Sequence, residues 1–219
     1  MGNSEKPVYA NTLEDIHLLL KAARFDAATA LCEKMCAEPV VDARVWQILG
    51  ALYGQNNDDV RAESCTRQAL AIDPGLVSAY RNLVILLQRH DRLAEAEQYI
   101  QQALKLQRAD ATLHFELGNI YKNTGKLYKA VDCYREAIRL APRYRDAHFN
   151  LGSTFLELKD LHSALGCMRA SFACDHNFVK AKAMEANLLE MQGDVEAAWK
   201  CLEPWFCLLY TSPSPRDRS

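Results

Sequence analysis

The sequence has no apolar run approaching the roughly 18 residues a membrane-spanning helix needs, and its N-terminus has no apolar core of a secretory signal. Cytoplasm is the expected location, without a membrane partner. An excess of charge is also missing. Its 26 Lys and Arg stand against 28 Asp and Glu, a net charge of −2, which leaves no electrostatic footprint for nucleic acid. Convergent catalytic signatures are absent as well. There is no glycine-rich phosphate loop, no G-x-S-x-G and no H-E-x-x-H, so neither enzymatic activity nor a cofactor is expected. The 8 cysteines show no C-x-x-C spacing, and Cys32 and Cys36, one helical turn apart, have no histidine beside them to complete a zinc shell. They read as small apolar fillers in a reducing compartment, and no metal site is expected.

Against those absences one pattern stands out. The stretch Ala111 to Tyr144 holds two amphipathic stripes. Leu117, Gly118 and Tyr121 form the first, Gly125 punctuates it, Ala130, Tyr134 and Ala137 form the second, and Pro142 closes the unit. Steps of 34 residues from Ala130 land on Ala28, Ala62, Ala96, Ala164 and Ala198. Gly118 maps onto Ile16, Gly50, Val84, Gly152 and Ala186, and Tyr121 onto Leu19, Tyr53, Leu87, Phe155 and Leu189. Small residues that let two helices approach alternate with large ones that fill the groove between them.

The order Leu-Gly-x-x-Tyr, then Ala-x-x-x-Tyr-x-x-Ala, then Pro resembles the tetratricopeptide repeat (TPR), a helix-turn-helix unit with a period of about 34 residues. The resemblance implies an all-α chain, a right-handed superhelical solenoid of about six repeats with one continuous core. The frames are 9–42, 43–76, 77–110, 111–144, 145–178 and 179–206, after a disordered lead-in over 1–8. Asn11 or Thr12 is placed to cap the first helix. Asp15, where later repeats have leucine, marks the first repeat as a cap. Pro204 falls inside the second helix of the sixth repeat and predicts an early end to it. Residues 207–219 read as a translated sequencing adaptor, with the natural C-terminus lost.

In this family the first helix of each repeat lines a concave groove. On that face the fourth repeat carries Phe115, Asn119 and Lys122, the fifth carries Phe149, Asn150 and Ser153, and Asn82 takes the Asn150 place in the third. Asparagine offers a donor and an acceptor to an extended peptide, and phenylalanine an apolar anchor. Chaperone-binding members clamp a C-terminal carboxylate with Lys, Asn, Asn, Lys and Arg. Here Asn119, Asn150 and Lys180 match, while Phe115 replaces the first lysine and Met184 the arginine. The asparagine ladder of O-linked N-acetylglucosamine transferase is similarly broken, with Glu116 between Asn82 and Asn150. His114 and His148, which share one place in successive repeats, read as structural. The expectation is a scaffold or adaptor that binds a peptide or protein segment in its groove. The alternative makes the chain the non-catalytic portion of a larger enzyme, such as a glycosyltransferase or sulfotransferase, with further domains on the same polypeptide.

Overall fold

The structure, a computed structural model, describes residues 12–38 and 41–211, and of 204–211 the backbone alone. The lead-in over 1–8, the capping role of Asn11 and the part of the tail reading on 212–219 lie outside the described residues. Among those residues there are twelve α-helices and no strand. Contacts gather the chain into two compact units, Met1–Arg108 and Ala109–Ser219, where the repeat pattern predicts one undivided solenoid. Repeat proteins make mostly neighbour contacts, so a grouping falls at a junction of whole repeats.

Unit one holds α1 (Leu13–Lys21), α2 (Phe25–Cys36), α3 (Ala43–Gln55), α4 (Asp59–Ile72), α5 (Val77–Arg89) and α6 (Leu93–Leu106). Unit two holds α7 (Ala111–Asn123), α8 (Leu127–Leu140), α9 (Arg145–Glu157), α10 (Leu161–Cys174), α11 (Val179–Met191) and α12 (Val195–Thr211). The second helices start 34 residues apart from Phe25 to Val195, so the period read from the alanines is the period of the hairpins. Within each unit every helix packs on its chain neighbour, and first helices also touch across repeats, α3 with α5 and α7 with α9.

The hairpin turn is the same six times. Ala23, Asn57, Asp91, Gly125, Lys159 and Gly193, each 34 residues after the last, have positive φ. A residue in this left-handed region ends a helix, because it turns the next N–H back onto the helix's last carbonyls. Arg24 N donates to Leu19 O, Asp58 to Tyr53, Arg92 to Leu87, Lys126 to Tyr121, Asp160 to Phe155 and Asp194 to Leu189, all at 2.8–2.9 Å. Glycine fills only two of these places, so the turn is imposed by hairpin packing and not by glycine.

The alanine stripe is buried in every repeat, as are Ile16, Gly50, Val84, Gly118, Gly152 and Ala186 facing it. At three of these the approach is closer than a side chain would permit. A Cβ on Gly50 would lie 2.6 Å from Thr66 Oγ1, one on Gly118 2.6 Å from Tyr134 Cε1, and one on Gly152 2.8 Å from Met168 Cε. The core of unit one runs from Ile16, Leu19 and Leu31 through Leu49 and Leu52 to Leu86. In unit two Leu165 and Met168 join Leu188 and Leu189.

Two expectations at the ends meet their physical reason here. Thr12 caps α1, and Asp15 completes a capping box by accepting from the Thr12 backbone N at 2.9 Å. That is why Asp15 departs from the leucines of later repeats. At the other end α12 does not stop at Pro204 but continues to Thr211. A proline removes one N–H bond and crowds one carbonyl, at a cost of about 3 kcal/mol, yet the turns on either side keep their own bonds.

Candidate functional site

The first-helix faces are where polar groups meet across repeats, and they do so at a fixed offset of 31 residues. In unit two, Asn119 Oδ1 on α7 accepts from Asn150 Nδ2 on α9 at 2.8 Å and from Tyr134 OH on α8 at 2.9 Å. Tyr134 is fully buried, and burial holds its phenol well above the ordinary range, so the hydroxyl stays protonated and donates. One turn along, Lys122 Nζ donates to Ser153 Oγ at 2.7 Å and lies 3.2 Å from Glu157 Oε1. Phe115 stacks at 4.9 Å on Tyr144 and 5.9 Å from Tyr134, and Phe149 meets Phe178 edge-on at 5.2 Å. The expected Asn119, Asn150, Lys122 and Ser153 are therefore brought together, bonded first to one another. Lys180 is exposed on α11, and among the described residues no hydrogen bond joins it to this network.

Unit one has the same places filled differently. Stepping back by two repeats, Asn150 becomes Asn82, but Asn119 becomes Ala51, Lys122 becomes Gly54 and Ser153 becomes Ile85. With Ala51 and Gly54 where Asn119 and Lys122 stand in unit two, an open cleft of about 270 Å³ lies between α3 and α5. Gly50, Ala51, Gly54, Asn82, Ile85 and Arg89 line it. Asn82 Nδ2 is buried and has no hydrogen-bond partner, a costly state for an amide donor. Ile85 is exposed at the rim. Asn82 and its cleft thus combine a donor awaiting an acceptor with an apolar recess.

Other titratable groups serve packing. Burial pushes the Cys32 thiol up to about 12 and those of Cys36, Cys133 and Cys167 to about 11, so these thiols are protonated and poorly nucleophilic. His114 and His148 are half-buried, and His148 Nε2 lies 3.0 Å from the Pro142 carbonyl. Among the described residues no group of three or more His, Cys, Asp or Glu is arranged to hold a metal. No helix there is long and apolar enough to cross a membrane.

Sequence reasoning missed two clusters. Arg67 and Arg92 each reach both Glu63 and Glu95, at 2.5–2.8 Å, a closed square of charge between the second and third hairpins. Glu185 is buried on α11 between Arg169 at 2.8 Å and Lys182 at 2.9 Å. Its signal was available: a step of 34 from Leu151 lands on a glutamate where four earlier repeats have leucine.

Family profiles match two stretches, one described as TPR repeat over residues 118–159 and one as tetratricopeptide repeat over 76–109. Both stretches carry TPR repeats. No curated protein matches the chain by sequence. Among solved structures, MamA aligns with a TM-score of 0.70 at 18% identity, over 78% of this chain and 96% of MamA. YrrB, a TPR protein with an unusual peptide-binding site, aligns with a TM-score of 0.65 at 20% identity, over 76% of this chain and 86% of its own. A thermophilic TPR protein of Thermus thermophilus gives 0.62 at 21%, over 81% and 96%. At these identities the likeness is one of fold, an all-α TPR solenoid.

Proposed function

We propose that the chain is a non-enzymatic interaction scaffold that holds a polypeptide segment against the first-helix faces of its TPR hairpins. The α3–α5 cleft is its principal seat. The observation that carries this reading is the buried, unpartnered Asn82 Nδ2 beside an apolar recess. When the Asn82 side chain turns toward the cleft, a bound segment supplies a main-chain carbonyl to that amide and one apolar side chain to the space beside Gly54 and Ile85, the usual division between backbone affinity and pocket specificity. Asn119 and Asn150 play a second role. Their mutual bond fixes both amides and leaves Asn119 Nδ2 and Asn150 Oδ1 outside that bond, a donor and an acceptor for a peptide group. The peptide-binding site named for YrrB supports peptide as the ligand class. The described cysteines are free thiols, which suits a reducing cytoplasm.

The test uses peptides selected on the whole chain from a random phage-displayed library and titrated by fluorescence anisotropy. Asn82→Ala should weaken the selected peptides about 5- to 10-fold, the worth of one hydrogen bond. Gly54→Lys, which places the Lys122 side chain's counterpart in the cleft, should abolish binding. Neither should lower stability, since the Asn82 amide nitrogen has no partner to lose and a Cβ on Gly54 meets nothing closer than 3.8 Å. Peptides that bind both variants as tightly as the parent chain would overturn the assignment.

A further inference from the structure

The α3–α5 cleft has a filled counterpart in the same chain, and the two differ in the sign of one charge. In unit two Lys122 leaves α7 and crosses to α9, where its Nζ donates to Ser153 Oγ at 2.7 Å and lies 3.2 Å from Glu157 Oε1. Two repeats earlier the same three places hold Gly54, Ile85 and Arg89, and all three line the cleft. The long side chain that crosses is gone, the hydroxyl it meets has become apolar, and the anion at its end has become a cation. Arg89 is the one charged residue among those lining the cleft. It is exposed, and it engages Asp59 through a single nitrogen, Nη1. That acid is shared, since Asp59 Oδ1 takes Arg89 while Oδ2 lies 2.9 Å from His90 Nε2. One carboxylate thus serves two bases, and a guanidinium with five N–H donors keeps most of them for another acceptor.

We propose that the segment seated in the α3–α5 cleft carries an acidic side chain whose carboxylate pairs with Arg89, as Glu157 pairs with Lys122. The proposal rests on the cleft being the peptide seat, and it adds the charge of the ligand to that reading. Arg89 stands two helical turns from Asn82, about 10 Å along α5, which an extended chain covers in about three residues. The acid therefore lies about three residues from the carbonyl that Asn82 takes, with the apolar side chain between them beside Ile85. A carboxylate meets a guanidinium through charge-assisted, often paired N–H bonds, which fix orientation as well as adding affinity. A lysine or arginine in the segment at that point meets a like charge, so the cleft selects against it. Arg89 holds none of the places of the C-terminal carboxylate clamp, and the acid it takes is a side chain within the segment.

The test takes the tightest peptide selected on the whole chain, synthesised with an amidated C-terminus so that every carboxylate is a side chain's, and titrates it by fluorescence anisotropy. Replacing its acidic residues one at a time by the matching amides should find one position that costs about 5-fold on the parent chain. On Arg89→Ala the acidic and amide peptides should bind alike. Arg89→Glu, which restores the charge of Glu157, should prefer the peptide carrying lysine at that position. Arg89 is exposed and Asp59 keeps His90, so both variants should fold as the parent does. Selected peptides without an acidic residue overturn the proposal, as does an acid-to-amide change that costs the same on the parent and on Arg89→Ala. If Gly54→Lys still abolishes binding of those peptides, the seat stands and only its preference for acid is lost. Peptides indifferent to Gly54→Lys overturn the seat and this inference with it.

Discussion

Gly118 and Tyr134 share one space: a Cβ on the glycine would stand 2.6 Å from the ring's Cε1 and 2.8 Å from its Cδ1. The ring is fully buried and bonded through its hydroxyl, so it cannot retreat. In the third repeat the same two places hold Val84 and Ile100, where a larger first-helix residue meets a ring-free partner. Gly118→Ala should therefore destabilise despite alanine's helix preference. Overpacking costs about 1–3 kcal/mol against about 1 kcal/mol gained. In a Tyr134→Ile background the same substitution should cost nothing or stabilise. Chemical denaturation of the four chains in a double-mutant cycle reads the coupling, and additive effects would refute the steric account.

Asn119 and Asn82 should respond oppositely to loss of their amides. Asn119→Ala leaves the buried Tyr134 hydroxyl without its acceptor, a cost of about 1–3 kcal/mol. Asn82→Ala removes a buried donor that has no partner, and stability should hold or rise. Urea midpoints compare the two directly. An equal loss at both would mean that Asn82 is satisfied in solution. The consequence for function is that binding tests belong on Asn82 or Asn150, because a defect at Asn119 mixes folding with recognition.

The repeat itself was legible because steric demands recur with the period. A place that admits only a small residue, such as Ala28 to Ala198, shows the same letter each time. What crosses between repeats was less legible. The bonds from Asn119 to Asn150 and from Lys122 to Ser153 span 31 residues, an offset set by how hairpins stack and absent from any within-repeat pattern. Asn82 and Asn150 look equivalent in sequence. Only the residue 31 before each, Ala51 in one case and Asn119 in the other, decides which amide is open and which is engaged. Pro204 misled because helix rules score one position at a time, while α12 has intact turns on both sides of it.

The left-handed turn residues offer a gain. Ala23 and Lys159 are exposed non-glycines with φ of 54° and 63°, a region that costs an L-residue about 1–2 kcal/mol. Gly125 and Gly193 hold the same turn without that penalty. Ala23→Gly and Lys159→Gly should each stabilise by about 0.5–1 kcal/mol, the strain relieved less the extra freedom of glycine in the unfolded chain. Gly125→Ala, with nothing within 4 Å of the added Cβ, should lose about 1 kcal/mol through backbone strain alone. Denaturant midpoints that move the other way would show that these turns are set by side-chain contacts and not by φ.

Glu185 gives the chain a pH dependence of known sign. Burial alone would push its carboxyl up, but hydrogen bonds from Arg169 and Lys182 outweigh burial and hold it below the usual 4.5. A folded value depressed below the unfolded one means stability that is fully present above about 4.5 and lost as pH falls through the folded value. The midpoint difference between the parent chain and Glu185→Gln should thus be flat from neutrality down to about pH 5 and shrink below it, while carboxylates common to both cancel. Glu185→Leu should behave differently. It restores the residue that Leu49, Leu83, Leu117 and Leu151 supply in four other repeats, and it leaves two cations that keep contact with water. Replacing a buried charge by a well-packed apolar group is often neutral or stabilising, so the leucine variant should match or exceed the parent chain at neutral pH. Its advantage should grow as acid removes what the glutamate contributed. A leucine variant markedly weaker than the parent at pH 7 would assign Glu185 a net electrostatic contribution larger than its burial cost, and would make the charge at this place a stabilising feature of the sixth hairpin.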